Sequence, residues 1–323
     1  MLYGQAGTIT PLVAVCVCTR GRPQMVRKCL VSLQRQHFDP ARLRMQIILV
    51  DNNPEPTALP VYEEICGRDA IGSFVHCPHP GIPMARNAAL EAALRAGAHY
   101  IAFLDDDEVA PEHWLGALVK ALEDSGADAV QGSVRKRTAD IESLAWQAPA
   151  PKATLTREAS ESLATCNVLF KARLAAAPLS LRFDEAMQFT GGSDREFFMR
   201  AHKRGAKLVR VHGIDVFEDV AEGRESLGYE CARAFAAGSN YFVRMRKNEP
   251  APVAAARIAM RALERSVNGI VKLGGAAALA LALRRRSALK HLHKGCAHLC
   301  FAAGCVTPVV GVRAYPYRSI QGA

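Results

Sequence analysis

"IAFLDDDEVAPEHWL", residues 101–115, runs from apolar residues straight into three aspartates and a glutamate. Four ionised carboxylates cannot be buried together without partners, and crowded on a surface they repel one another. Such a run is built to hold something. Its front, "YIAFLDDD", reads as a buried strand. "PEHWLGALVKALEDSG" behind it reads as a helix, with Pro in the first turn and Gly at its end. Strand, loaded turn, helix is the unit that decides the fold, because it recurs along the chain.

Working outward, "LVAVCVCTRGRP" (12–23) is an apolar, β-rich run ending in a polar Gly/Pro loop, and "QMVRKCLVSLQRQ" puts Val26, Leu30 and Leu33 on one helical face. "MQIILVDNNP" is a second buried strand ending in an acid and a turn. A helix near "ALPVYEEICGR", a short strand "SFVHCPHP", the helix "GIPMARNAALEAALRAG" and a strand in "DAVQGSVRKR" follow. Alternating strands and helices predict an α/β fold with a mostly parallel sheet. Ligands of such sheets bind beyond the carboxyl ends of the strands. Three strands end in chemically loaded loops, Thr19-Arg20, Asp51-Asn52 and Asp105-Asp106-Asp107, which this topology brings to one crevice. Residues 138–165 are poorly patterned and read as a flexible segment across the site, and a boundary is expected near 251, giving regions 1–250 and 251–323.

Each loaded loop has a chemical reading and a bland one. A D-x-D at a strand end can offer one carboxylate to a divalent cation and another to a ribose hydroxyl; Mg²⁺ and Mn²⁺ take oxygen ligands of this kind. Equally, one aspartate can cap the next helix while the others are solvated. Asp51 can accept hydrogen bonds from a base or ribose, or can close an Asx turn before Pro54. Arg86, near the start of its helix, can pair with phosphate or lie in solvent. In "TGGSDREFFMR", Gly191 and Gly192 allow close backbone approach, and Asp194 is placed to act as a general base on a hydroxyl; the alternative is a helix cap using Ser193 or Asp194.

With these residues laid out, "VCVCTRGRP", "IILVDNN", "GIPMARNAAL", "IAFLDDDE", "ADAVQGSV" and "GGSDREFFMR" together resemble the family 2 inverting glycosyltransferases of the GT-A fold. The resemblance covers residues 12–245 and is nearest to bacterial succinoglycan and exopolysaccharide glucosyltransferases. It implies that Thr19, Arg20 and Asp51 line a uridine pocket, that Arg86 lies near the nucleotide, and that Asp105 and Asp106 hold the nucleotide sugar, Asp105 on the ribose side. It makes Asp107 a ligand of Mn²⁺ or Mg²⁺, joined by a later residue, Glu218 or His212, with Glu218 preferred. Asp194 occupies the position of the catalytic base, although Ser193 stands where the family usually has glutamate. The implied reaction moves a hexose, glucose by this likeness, from a UDP-sugar donor to a glycan or lipid-linked oligosaccharide acceptor.

Composition adds a location. Residues 251–323 carry eleven of the 41 Lys/Arg and one of the 31 acids, Glu264, so this tail supplies the whole net charge of +10. A neutral body excludes nucleic acid as its partner and assigns the tail an anionic one. Arg257, Arg261 and Arg265 recur every four residues with Ile258, Leu263 and Ile270 away from them, predicting an amphipathic helix with a basic face. "LGGAAALALAL" is too short to span a bilayer, so residues 251–323 are expected to lie on an anionic membrane surface. The ten cysteines form no CxxC pair and the N-terminus has no secretory pattern, so the expected location is cytoplasmic, peripheral on the inner face of the cell membrane. Two other classes compete. A nucleotidyltransferase would need an early Gly-rich loop, and "TRGRP" is poor in glycine; a non-catalytic membrane-binding or polyanion-binding module would not need Asp105–Asp107 and Asp194.

Overall fold

The structure is a computed structural model in which residues 10–67, 72–137, 141–146, 148, 155–188, 191–219 and 226–312 are described. Strand β1 (Leu12–Thr19) is buried along nearly its whole length, as its unbroken Val/Ala/Cys run requires of a strand covered on both faces. It pairs in parallel with β2 (Arg44–Asp51) and with β4 (Tyr100–Asp105), and β2 pairs in parallel with β3 (Gly72–His76). The register sets Thr19 opposite Asp51 and Cys18 opposite Asp105. The three loaded loops therefore leave the sheet at one edge, as expected.

Helices α1 (Pro23–Gln34), α2 (Leu59–Cys66), α3 (Ile82–Arg95) and α4 (Trp114–Ser125) connect these strands. Leu30, Leu33, Val61, Leu115 and Leu118 pack with Val13, Val15, Val17, Ile47 and Leu49 on one face of the sheet. On the other face Ala85, Ala89 and Leu90 of α3 pack with Ala14, Cys16, Ile48 and Val50. The alternation of a strand's side chains between two faces separates these sets.

Beyond β4 come β5 (Glu108–Val109), β6 (Ala129–Arg137), α5 (Ile141–Trp146), β7 (Thr156–Ala159), β8 (Val168–Lys171), α6 (Ser193–Lys203) and β9 (Leu208–Asp219). The sheet order is β3-β2-β1-β4-β8-β6-β9-β5, with β7 added on β9. β8 runs antiparallel to both β4 and β6, while β6 and β9 are parallel. The segment read as flexible is partly regular: β7 pairs with Val209–His212 of β9, and residues 138–140, 147 and 149–154 lie outside the described residues. All ten cysteines are free thiols.

Asn167, fully buried with φ 46°, ties three elements together. Its amide donates to Ser133 O at 2.8 Å and Ile214 O at 2.9 Å, and its Oδ1 accepts from Trp114 Nε1 at 2.7 Å. It sits where β6 and β9 slip register between Gln131 and Ser133. Gly132 is needed at the slip, because a Cβ there would lie 2.3 Å from Ile214 O.

Contacts divide the chain into two units: the described residues up to 185 with 197–219, and 186–196 with 226–312. The second unit holds α7 (Leu227–Asn248), α8 (Ala251–Leu281) and α9 (Arg285–Val306). Its helices meet through glycines. A Cβ on Gly238 would lie 2.1 Å from Phe301 O, and one on Gly304 2.1 Å from Phe235 O, so only glycine permits this approach.

Here the structure keeps Arg257 exposed, as expected, and corrects the rest of the basic face of α8. Arg261 and Arg265 are half-buried, Arg265 stacking over Phe301 at 4.9 Å and meeting His298 Nδ1 at 3.0 Å. Ile258 is buried on that same side, whereas Leu263 and Ile270 are exposed. The aliphatic stems and planar head of arginine pack well on an aromatic ring, which leaves the apolar residues outward.

Asn167→Ala strands three buried polar partners. It should cost about 3–5 kcal/mol and lower the melting temperature by about 10 °C, measured by thermal denaturation against wild type.

Candidate functional site

Thr19 ends β1, and its hydroxyl donates to Asp106 Oδ2 at 2.7 Å. Arg22, just ahead of Pro23 at the start of α1, reaches Asp106 Oδ1 at 3.3 Å and Asp107 Oδ2 at 3.4 Å. The β1–α1 loop thus clamps the turn that follows β4. The turn also closes on itself and on β9. Asp105 N–H donates to the buried Glu108 carboxylate at 3.0 Å, Glu108 pairs with Glu218 across the β5–β9 ladder, and Asp219 N–H donates to Asp107 O at 2.9 Å.

Ion pairs bring Lys136 to Glu218 at 3.5 Å and Lys28 to Asp219 at 3.3 Å. With Arg22, these cations are outnumbered by Asp105, Asp106, Asp107, Glu108, Glu218 and Asp219. The crowding shows in proton affinity. Burial, reinforced by Asp107 and opposed by Arg22 and Thr19, pushes the Asp106 carboxyl up to about 6. Burial, with Asp105 adding, raises Glu108 as well. A cluster of oxygen ligands with this excess of acids suits a hard divalent cation. Ligand atoms of Asp105, Glu108 and Cys166 lie within 4.8 Å of one another, and Gln131 Nε2 donates to the Cys166 sulfur at 3.5 Å.

Glu218 and His212, both considered as later metal ligands, are separated by the structure. Glu218 stands against the acidic turn. His212 lies six residues upstream, opposite Thr156, 52% exposed and paired with Glu158 at 3.3 Å.

Asp51 is fully buried and engaged by its own loop: Oδ1 accepts from Asn53 N and Nδ2 at 3.1 and 2.6 Å, Oδ2 from Ala58 N at 2.7 Å. The Asx-turn alternative is the geometry observed, and the carboxylate is not presented for contact with a base. Its neighbour Asn52 fastens the next loop, donating to Cys77 O and His79 O at 2.8 and 2.7 Å and accepting from Gly81 N at 2.8 Å. Gly81, with φ 155°, then opens α3. Arg86 on that helix lies 5.7 Å from the Phe183 ring centre. The half-buried Cys18 thiol feels Arg86, Asp105, Asp106 and Cys77 together, so the ends of β1, β3, β4 and the start of α3 converge. Arg20 is half-buried, and its Nε has no hydrogen-bond partner among the described residues.

Asp194 belongs to the unit of α7. Gly191 and Gly192 take φ 78° and 79°, a left-handed pair that glycine adopts without strain. α6 begins at Ser193, so Ser193 and Asp194 both fall in its first turn. Ser193 and Glu196 are buried and Asp194 is partly exposed. Its charged neighbour on α7 is Arg244, lowered in proton affinity by burial first and by Arg195 next, with Asp194 opposing.

Sequence reasoning does not single out Arg22, Cys166 or Asn167, and it gives Glu108 and Asn52 no part of their own. Arg22 has a local signal, a cation ahead of the helix-opening Pro23; Glu108 closes the turn locally on the Asp105 N–H, and Asn52, Cys166 and Asn167 act through partners distant in the chain.

A family model described as "Glycosyl transferase family 2" matches residues 14–174. The succinoglycan biosynthesis protein ExoM of Rhizobium meliloti (strain 1021) is 32% identical over 233 residues, 71% of this chain and 74% of its own length. Among solved structures, the mannosyltransferase PcManGT from Pyrobaculum calidifontis, in complex with GDP-Man and Mn²⁺, aligns with TM-score 0.60 and 19% identity, over 93% of this chain and 88% of that one. S. aureus TarS 1-349 aligns with TM-score 0.52 and 13% identity, over 93% and 92%. At these identities the solved structures speak for the fold alone.

Since burial holds Asp106 above its ordinary 3.8 at about 6, the folded chain binds this proton more tightly than the unfolded chain. The resulting stabilisation is present at low pH and is lost as pH rises through about 6. Asp106→Asn, which removes the charge and keeps an acceptor for Thr19, should therefore gain about 2–3 kcal/mol on wild type between pH 4 and 7. Urea titrations with chelator present would measure this, and a pH-independent difference would contradict it.

Proposed function

This chain belongs to glycosyltransferase family 2 and has the GT-A fold, and on that premise we propose that it is an inverting hexosyltransferase. It moves a hexose, glucose by resemblance, from a UDP-sugar to a hydroxyl of a glycan carried on a lipid. The name of the Rhizobium relative gives that protein a part in succinoglycan biosynthesis, and bacterial exopolysaccharide synthesis is the process that suits this chain. The observation that carries the reading is the acidic turn after β4, clamped to Thr19 and Arg22 at the carboxyl edge of the parallel strands.

The residues take these parts. Thr19 and Asp106 fix the turn, so that Asp105 is held still for the ribose. Arg20 and Arg86 supply positive charge for the diphosphate; the partnerless Nε of Arg20 supports this. Asp51 shapes the loop beside the base instead of touching it. Asp107 and Glu218 would hold Mn²⁺ or Mg²⁺, with Asp105, Glu108 and Cys166 close at hand. When bound, the cation neutralises the leaving diphosphate.

Asp194 is the general base. The acceptor oxygen bonds to the anomeric carbon from the face opposite the diphosphate. The carbon–oxygen bond to phosphate breaks, its electron pair leaves with the nucleotide, and the hydroxyl proton passes to Asp194. One displacement inverts the centre, so an α-linked donor gives a β-linkage. A lipid-linked acceptor places the enzyme on the inner face of the cell membrane; among the described residues no helix is long and apolar enough to cross one.

Titration calorimetry should show UDP binding with Mn²⁺ that weakens at least tenfold in EDTA or in Asp107→Ala. GDP, run in parallel, should bind more weakly; tighter GDP binding would replace the donor assignment. Asp194→Asn should bind UDP within about threefold of wild type while transfer falls about 10²–10⁴-fold. Equal loss of binding and transfer would remove Asp194 as the base.

A further inference from the structure

Helix α8 is apolar on two opposite sides. Ala254, Ile258, Gly269 and Ala276 form its buried face. Met260, Leu263, Val267, Ile270, Val271 and Leu281 are all at least half exposed, Met260 at 66% and Leu281 at 87%. Their successive spacings of three, four, three, one and ten residues put them within about 100° of arc at 3.6 residues per turn, diametrically opposite the buried set. A stripe of this length on a water-soluble surface marks an interaction site.

The charges around it say what it meets. Leu281 and the exposed Leu283 lead directly into Arg284, Arg285 and Arg286, and Lys290 and Lys294 follow on α9, all exposed. The one acid in residues 251–323, Glu264, is paired with Arg261 at 2.7 Å. A second copy laid parallel on this face would bring two cationic clusters together, one laid antiparallel would leave both clusters without an anionic partner, and a soluble polyanion would leave the apolar stripe in water. An anionic bilayer satisfies both parts at once: acyl chains take the stripe and headgroups take the arginines.

We infer that the outward apolar stripe of α8, from Met260 to Leu281, with the arginine cluster at 284–286, is the surface by which this chain lies on an anionic lipid membrane. This deepens the membrane part of the function proposed above and reverses the orientation that the arginine spacing implies. Arg265 holds the helix onto α9, and the aliphatic side enters the bilayer. It does not depend on the sugar chemistry.

The test uses the full chain and vesicles of phosphatidylcholine alone or with one quarter phosphatidylglycerol. Wild type should co-sediment with the mixed vesicles and not with the neutral ones. A Leu263→Gln/Val267→Gln/Ile270→Gln variant should bind the mixed vesicles at least tenfold more weakly. An Arg284→Gln/Arg285→Gln/Arg286→Gln variant should lose a similar factor, and its residual binding should be insensitive to salt. Val267→Trp should show a blue-shifted emission on adding mixed vesicles. Circular dichroism and UDP titration on each variant report folding and the donor site. Unchanged sedimentation of the Leu263/Val267/Ile270 triple variant, or an unshifted emission from the Val267→Trp variant, would overturn the proposal. A dimer in gel filtration that the same triple variant converts to monomer would overturn it in favour of a second copy. Failure of UDP binding in wild type with normal sedimentation would strike the donor reading and leave this one standing.

Discussion

The Thr19–Asp106 hydrogen bond, reinforced by Arg22, is the contact on which the functional edge depends. It joins residues 87 apart in the chain, and it exists only because β1 and β4 are neighbours in a parallel register that aligns their ends. Without it the run of four acids would repel itself open. With it, Asp106 is buried and serves position instead of presenting charge, while Asp105 and Asp107 on either side are held in fixed places. The glutamate that follows does the same from within the turn, by accepting the Asp105 N–H. Half of the acidic run, Asp106 and Glu108, is thus buried scaffold, and the other half, Asp105 and Asp107, stays partly exposed.

The cost of that arrangement is electrostatic. Burial raises both Asp106 and Glu108 above the ordinary carboxylate range, and β9 adds Glu218 and Asp219 to the same edge. Arg22, Lys28 and Lys136 offset only part of this. An edge with this excess of acids suits a hard divalent cation. The same physics explains the opposite choice at β2, where Asp51 spends both oxygens on its loop and Asn52 on the next. There the polar residues build backbone shape.

The helical unit follows a different rule. Its helices approach through Gly238 and Gly304, with Gly269 and Gly295 meeting leucines farther along, and arginines fill the half-buried seam. Close backbone approach leaves little room for large side chains between helices, so the large aliphatic residues of α8 end up outside. Periodicity alone could not foresee this, because arginine counts as the polar residue in any amphipathic pattern even when its stem and planar head pack on Phe301.

By itself the sequence determined the α/β class, the convergence of three strand-end loops, the family, and the glycine pair before Asp194. These rest on local signals: unbroken apolar runs, turn residues, and motifs whose order survives in one dimension. The tertiary structure alone decided which acids are buried as scaffold, which stay partly exposed, that Glu218 and not His212 stands at the acidic turn, and which face of α8 points outward. Each of those depends on a partner far away in the chain, and the energy of burying a charge or an apolar side chain is set by what folds against it, which no local pattern records.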